Sequence, residues 1–424
     1  MNTDPNLVFA ENTEFQLVDD TNQPIVTRGG LDRKYVLARD LDLSSLNATQ
    51  SVILGTFTGE FHGGTKALSN LSIQSTKSSV GLFEAISGAS ISNLTLNHFD
   101  VTGITHVGVL AGTLTSSSIA IENVHVYGAT VSGISRVGGL FGGAYAVDLN
   151  ATNVSIHGQI TSAKDYLGGL LGSVNASNLT FSGISNTSQL FGYSYVGGII
   201  GASTSNTDSI YLHQSSNEGL IHITNNAIQQ NIVGGLIGGT FSKGTSNIVI
   251  HESYNAGRIQ VVNYVDQTST ADAEAIQIGG LLGRSGNTLT VENSFNLGTI
   301  EYSEVGNITS PNFYVGGLVG NPRYTSTLRN SYNVGQLVRM NAHLSTPGAL
   351  IGFAFSGETY ILENGFYNPD IDGNGVPVGL TSTALGTASS IIQMTGFEYH
   401  DNAGWNVAKN PTTTWAIGYN DQMT

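Results

Sequence analysis

A six-residue pattern of apolar residues and glycines recurs along the chain, typified by Val137-Gly138-Gly139-Leu140-Phe141-Gly142. A shortened forerunner, six further full copies and one degraded last copy lie around it, and consecutive copies begin 27 to 45 residues apart. Counting the forerunner, they begin at Val80, Val107, Val137, Leu167, Val196, Val233, Ile278, Val315 and Pro347. A recurring step of this size indicates stacked structural units rather than one globular core.

Short alternating runs that begin with Asn follow the early copies, at positions 93–96, 123–126, 153–156 and 178–181. Alternation of apolar and polar residues over so few positions is typical of strands. No window shows sustained apolar spacing of three and four residues, and glycine, at 54 residues, is too frequent for helices, where each costs about 1 kcal/mol relative to alanine. We therefore predict an all-β fold, a right-handed parallel β-helix (β-solenoid) of about eleven coils with terminal caps.

The six-residue pattern has a physical interpretation as one strand of each coil. Alternate side chains of a strand point to opposite faces, so Leu140 and its equivalents are predicted to stack from coil to coil as an aliphatic ladder inside the solenoid. The glycines are predicted where the wall bends or where a neighbouring backbone comes close.

A second marker recurs in the later part of the chain, where Asn217, Asn255, Asn296 and Asn333 each precede a glycine by two residues. Asn tolerates left-handed backbone and bonds its own chain two residues on, and glycine takes positive φ freely. Stacked Asn side chains also form hydrogen-bonded ladders. We interpret these positions as structural corners and not as ligands.

The chain divides by composition into three segments. Residues 1–34 are irregular and are predicted to cap the solenoid, residues 35–363 form the repeats, and residues 364–424, which hold both tryptophans, are predicted to close the other end.

Extra residues between later copies, such as 262–276, are predicted to leave the coils as loops, where binding usually occurs. Uneven repeats without an anchor favour a fragment of a larger exported protein.

Charge and composition exclude some functions. The chain has 30 acidic and 15 basic residues, a net charge of −15, which argues against a nucleic-acid partner because such binding needs basic patches. No stretch approaches the roughly 18 apolar residues of a membrane helix. The absence of cysteine fits either a reducing compartment or an exported bacterial protein.

One turn carries candidate metal ligands. Asp370, Asp372 and Asn374 place oxygen atoms at alternate positions, and Gly375 takes the sixth position, as in a calcium-binding loop. The twelfth position is Thr381 rather than a bidentate Glu, and no flanking helix pattern exists, so the turn is no EF-hand. Calcium is therefore a candidate cofactor, and an ordinary exposed turn is the alternative.

Catalytic motifs are missing from the sequence. The ten histidines form no His-Glu-x-x-His and no close pair, so the sequence predicts no zinc hydrolase site. No Gly-x-Ser-x-Gly nucleophile turn stands out. With charged residues at 11%, no acidic cluster for sugar chemistry is visible. We therefore predict that the chain is not an enzyme.

Several motifs occur in an order typical of one known family. The opening Tyr-x-Leu-x-x-Asp-Leu-Asp-Leu at positions 35–43, the Phe-Thr-Gly-x-Phe step at 57–61 and the repeated Gly-Leu-Val-Gly-like core resemble the GLUG-repeat family over roughly residues 35–417. The resemblance implies a scaffold of large surface-exposed or secreted bacterial proteins. These include filamentous-haemagglutinin-like adhesins and an IgA peptidase family.

From this resemblance we expect a non-catalytic bacterial adhesin or exoprotein module, secreted or displayed on the cell surface. Its expected partner is a host cell surface, a polysaccharide or another copy of itself, with contact through the loops between residues 200 and 345. Two alternatives remain: a polysaccharide lyase or hydrolase built on a β-helix, and a spacer stalk that presents another domain.

Overall fold

The structure is a computed structural model that describes residues 30–37, 39–175, 177–204, 209–225, 231–241, 246–264, 276–305, 313–340, 347–355, 358–363, 365–367 and 378–381. Within these ranges the chain is all strand and turn, without a helix. No helix long and apolar enough to span a membrane occurs among them.

The strands stack into five columns, named here in their order around one coil. The first column contains Thr105–Val107, Ser135–Gly138, Leu167–Gly168, Tyr195–Gly197, Ile232–Gly234, Ile276–Gly279 and Phe313–Gly316. The second column contains Ile53–Phe57, Phe83–Ile86, Leu171–Asn175, Ile200–Ser203, Ile237–Thr240, Leu282–Ser285, Val319–Pro322, Ile351–Ala354 and Val378–Thr381. Two long strands, Ala111–Gly133 and Phe141–Ser162, run through the second, third, fourth and fifth columns without a break.

The remaining strands complete the coils. The third column contains Lys34–Val36, Glu60–Ser69, Ser90–Asn97, Asn178–Asn186, Ser209–His213, Asn247–His251, Thr288–Glu292, Ser326–Arg329 and Tyr360–Glu363. The fourth column contains the two-residue strands Leu41–Asp42, Ser216–Asn217, Tyr254–Asn255, Phe295–Asn296, Tyr332–Asn333 and Phe366–Tyr367. The fifth column contains Asn47–Ala48, Ser72–Gln74, Asp100–Thr102, Gln189–Gly192, Ile221–Asn225, Ile259–Tyr264, Ile300–Val305 and Leu337–Arg339.

Every strand pairing in the described ranges is parallel and joins equivalent positions of neighbouring coils. The second column holds one unbroken register of eleven residues: Ile53, Phe83, Ala111, Phe141, Leu171, Ile200, Ile237, Leu282, Val319, Ile351 and Val378. The prediction of a parallel β-solenoid with about eleven coils is confirmed.

The six-residue pattern does not form one strand. The strand Ser135–Gly138 ends before the pattern's middle, residues 139–140 form a bend, and the strand that starts at Phe141 belongs to the next column. Because the chain turns there, the side chains of Leu140 and Phe141 are both fully buried, although a continuous strand would send them to opposite faces. The single-strand interpretation was wrong.

The predicted aliphatic ladder is present inside the solenoid. Equivalents of Leu140 are at most 2% exposed along the whole array: Leu82, Leu110, Leu170, Ile199, Leu236, Leu281, Leu318 and Leu350. Each of them removes an aliphatic side chain from water, which stabilises the fold by about 1.5–3 kcal/mol per residue. Burial of this ladder is therefore one source of stability for a solenoid that has few charged residues.

The predicted asparagine corners also form a ladder, and it is buried. The Nδ2 of Asn186 donates to the Oδ1 of Asn217 at 2.7 Å, and the same bond at 2.8 Å continues to Asn255, Asn296 and Asn333. Asn186 was not predicted as a member, since no glycine follows it by two residues. The same register is aliphatic in the earlier coils, where Ile156 pairs with Asn186. The core therefore changes from aliphatic to amide side chains halfway along the array.

The half-buried His106, in an early coil, predicts a pH dependence of stability. Burial first, and the Arg136 guanidinium second, lower the pKa of His106 to about 4, whereas an unfolded histidine titrates near 6.5. Between these values the unfolded chain binds a proton that the folded chain does not, so the free energy of unfolding falls as the pH falls from about 6.5 to 4. We expect His106→Asn to flatten this fall in denaturant titrations, because Asn tolerates the φ of 54° at this position. The exposed His157, changed to Asn, is the control, and an equal slope in wild type and His106→Asn would contradict the assignment.

Candidate metal centre

Four successive coils make the same turn between the third and fourth columns. Residues 213–217 are His-Gln-Ser-Ser-Asn, 251–255 are His-Glu-Ser-Tyr-Asn, 292–296 are Glu-Asn-Ser-Phe-Asn and 329–333 are Arg-Asn-Ser-Tyr-Asn. The second residue of each turn is left-handed, with φ between 45° and 50°. The serine after it donates its hydroxyl to the carbonyl two residues earlier, at 2.8 Å in each coil. That bond fixes the direction in which the side chains of the first two residues leave the turn.

Asparagine is the common residue at the left-handed position. Asn93, Asn123 and Asn153 occupy it in the early coils with φ of 52–53°, and their amides bond to one another at 2.9 and 2.7 Å. Asn is among the residues that adopt this conformation most readily. Gln214 and Glu252 replace it in two adjacent coils, with φ of 45° and 47°. The left-handed position of the turn therefore carries a longer polar side chain in these two coils.

Two histidines lie beside these replacements. His213 and His251 are in register on paired strands, and their rings stack at a centroid distance of 5.1 Å and an angle of 15°. The Nδ1 atoms lie 3.0 Å apart. The ring of Tyr211 also stacks with that of His213, with centroids 6.0 Å apart. Both imidazoles are therefore held in place by neighbours, with about a quarter of each side chain exposed.

The carboxylate of Glu252 completes a group of three possible ligands. Its Oε2 lies 3.9 Å from Nε2 of His213, and its Oε1 lies 4.0 Å from Nε2 of His251. The side-chain amide of Gln214 donates to Oε2 at 3.0 Å. Ligand atoms of the three residues all lie within 4.8 Å of one another, the one such group of His, Cys, Asp and Glu in the described ranges. Two imidazoles and a carboxylate are a donor set that zinc accepts.

The sequence did not identify this group, because His213 and His251 are 38 residues apart and form no local motif. The signal was the repeated turn itself, since both histidines take its first position. The calcium candidates Asp370, Asp372 and Asn374 lie outside the described residues. Calcium binding there stays a prediction.

Comparisons with known proteins point to a peptidase family. The model described as the M26 IgA1-specific metallo-endopeptidase N-terminal region matches residues 27–128. The immunoglobulin A1 protease of Streptococcus sanguinis is 36% identical over 101 residues, which are 23% of this chain and 5% of that protein. The match thus spans a small part of the relative's length. No solved structure matches the chain.

A family of metallo-endopeptidases implies a metal, and the His213, His251 and Glu252 group was tested for it. The donors suit a metal ion, but they do not suit a peptidase centre. Hydrolysis needs a base beside the metal-bound water. The carboxylate of this group, Glu252, would itself be the third ligand, and it accepts a hydrogen bond from Gln214. The group also lies outside the matched residues 27–128. We derive no step of peptide hydrolysis from it.

These comparisons correct the functional predictions. The matching family is the M26 N-terminal region rather than the GLUG-repeat family, and a match to an endopeptidase and a protease overturns both the non-catalytic adhesin and the prediction that the protein is not an enzyme. The match also overturns the expected partners, which were a host surface, a polysaccharide or another copy of the chain. Neither the lyase or hydrolase nor the spacer agrees with it. The physical reason is that the quoted motifs are packing residues of a coil, which report architecture and not chemistry. The chain is similar, over residues 27–128, to the N-terminal region of IgA1-specific metallo-endopeptidases.

Proposed function

We propose that this chain is the β-solenoid part of a larger metallo-endopeptidase that cleaves immunoglobulin A1. The observation that carries the proposal is the match of residues 27–128 to the N-terminal region of that family. The identity of 36% to a streptococcal immunoglobulin A1 protease supports it. We place bond cleavage at a metal centre elsewhere in the whole protein. The reason is that the His213, His251 and Glu252 group, the one such group in the described ranges, does not suit peptide hydrolysis.

The geometry suits a rigid element that orients a large protein substrate. Eleven coils at about 4.8 Å each give a rod on the order of 50 Å long. Parallel ladders on every column make such a rod stiff, because each coil bonds to both neighbours. Holding a substrate in a fixed orientation lowers the barrier to its cleavage. Immunoglobulins are extracellular, so we propose that the protein is secreted or displayed on the cell surface.

Cleavage of immunoglobulin A1 by the natural full-length protein tests this proposal. We expect two fragments of the heavy chain in gel electrophoresis, none from immunoglobulin G, and loss of activity of at least about tenfold after treatment with a chelator, restored by zinc. Failure of the folded full-length protein to cleave immunoglobulin A1 would overturn the proposal.

The contribution of the solenoid is tested separately. A full-length variant that lacks the matched coils, residues 34–128, is expected to raise KM for immunoglobulin A1 by about tenfold or more, while cleavage of a short peptide with the same scissile bond stays within about twofold, because only the large substrate needs orientation. Circular dichroism checks that the remaining coils stay folded. Equal losses on both substrates would show that the deletion damages the peptidase domain itself.

A further inference from the structure

We propose that His213, His251 and Glu252 bind one transition-metal ion of the zinc class, which links two adjacent coils of the solenoid. This site lies outside the residues matched to the peptidase family, so the inference stands apart from the proposed proteolysis.

The distances within the group fit an ion rather than direct bonds. The carboxylate oxygens of Glu252 lie 3.9 and 4.0 Å from Nε2 of the two histidines, which is too long for hydrogen bonds. Metal–ligand bonds to imidazole nitrogen and carboxylate oxygen are about 2.0–2.2 Å. An ion placed between the oxygen and nitrogen atoms therefore bridges these gaps with a closure of a few tenths of an ångström.

The ligand residues come from two coils, so an ion here acts on the fold. His213 belongs to one coil, and His251 and Glu252 belong to the next. The side chain of Glu252 turns back toward the earlier coil, where Gln214 donates to it at 3.0 Å. That amide orients the carboxylate in the way that a hydrogen-bond partner of a metal ligand does. The corner therefore holds its donors in place before any ion arrives.

The surroundings favour a cation of borderline softness. Two imidazoles and one carboxylate select zinc, nickel or copper over calcium or magnesium, which prefer oxygen ligands. Glu292 follows His251 in the same register and adds negative charge to this side of the corner. The next cation in the register, Arg329, is bonded to Glu363 at 2.6 Å. About a quarter of each ligand side chain is exposed, which leaves access for the ion and for a water as fourth ligand.

Glu252 offers a substitution that separates metal binding from folding. Asparagine occupies the same left-handed position in five other coils, at Asn93, Asn123, Asn153, Asn293 and Asn330. Glu252→Asn therefore keeps the turn and removes the carboxylate. His222→Gln is the matched control, because His222 is also a partly exposed histidine that bonds to the next coil, through Gln260 at 2.8 Å.

The test is a titration of the purified chain with Zn²⁺ and Co²⁺ after removal of metals by a chelator. Calorimetry with Zn²⁺ is expected to give one site per chain, Co²⁺ is expected to develop the visible absorption of a four-coordinate nitrogen and oxygen site, and Zn²⁺ is expected to raise the melting temperature. Glu252→Asn and His251→Gln are expected to weaken this site by more than about tenfold, and His222→Gln to leave it unchanged. A titration without saturable binding would show that the two imidazoles only stack on each other, and it would overturn the proposal. Equal metal binding by Glu252→Asn and wild type would overturn it as well.

Discussion

Replacing Asn255 with alanine is expected to lower the free energy of unfolding by about 3–5 kcal/mol. The Asn255 side chain accepts a bond from Asn217 at 2.8 Å, and it donates to Asn296 at 2.8 Å and to the carbonyl of Gly257 at 2.9 Å. All of these groups are fully buried. Removal of the amide leaves buried partners in both neighbouring coils without a hydrogen bond, and each unsatisfied group costs about 1–3 kcal/mol. It also opens a cavity.

The measurement is chemical denaturation followed by circular dichroism, compared with Asn150→Ala. Asn150 is exposed on a strand of the same array, and a surface change of this kind is usually within about 0.5 kcal/mol. The ladder passes through one hydrogen bond per coil, so we also expect amide hydrogen exchange to rise in the coils on both sides of residue 255. An effect no larger than that of Asn150→Ala would contradict the role of the ladder.

Replacing Gly235 with alanine is expected to lower the free energy of unfolding by at least about 3 kcal/mol or to prevent folding. This loss exceeds the usual cost of overpacking because the new methyl group would collide with backbone atoms, which cannot move aside as side chains can. A Cβ on Gly235 would lie 2.0 Å from the carbonyl oxygen of Gly280 and 2.5 Å from Cγ of Asn255. The first contact is with the backbone of the next coil, and the second is with the buried amide ladder. Neither neighbour can move without breaking the register of two coils.

Gly239→Ala, four residues later in the same coil, is the control. A Cβ there meets only the side chains of Ile232 and Phe241, at 3.0 Å or more, and these can shift, so we expect a loss of about 1 kcal/mol. Yields of folded protein and denaturation midpoints of the two variants provide the comparison. Equal stability of the variants would contradict the close approach at Gly235.

Two neighbours require glycine at the third position of the six-residue pattern. The first is the backbone of the next coil, whose carbonyl oxygen would lie 2.0–2.1 Å from a Cβ there, and the second is the amide ladder. Gly169, Gly198, Gly235, Gly280 and Gly317 each face an asparagine of the ladder, with a Cβ 2.3–2.7 Å from its carboxamide atoms. In the earliest full copy of the pattern the same position is Val109, which is fully buried, in a part of the array where the facing register is aliphatic. Gly139 faces the aliphatic Ile156 and is glycine as well, so the amide ladder adds to a constraint that the neighbouring backbone already imposes.

The functional prediction from the sequence failed for an identifiable reason. Its motifs were the aliphatic and glycine positions of the coil, such as Leu140, together with the opening strand at Tyr35, and these residues are buried. Buried residues of a stacked coil satisfy the same packing demands in any solenoid, whatever activity accompanies it. The peptidase relationship came from the match of residues 27–128 to a family model and from the identity to an immunoglobulin A1 protease.

The repeated pattern was enough to predict the all-β class, the parallel stacking, the coil number, the Leu140 ladder and the corner ladder of Asn217 to Asn333. These features depend on residues that recur at a constant place in each coil. Residues at equivalent positions of the repeat are therefore neighbours in the stacked structure. The bend at residues 139–140, the membership of Asn186 and the meeting of His213, His251 and Glu252 required the folded chain. Each of these depends on where the backbone turns, or on loops of unequal length between coils, and those lengths bring residues 38 positions apart within 3.0 Å of each other.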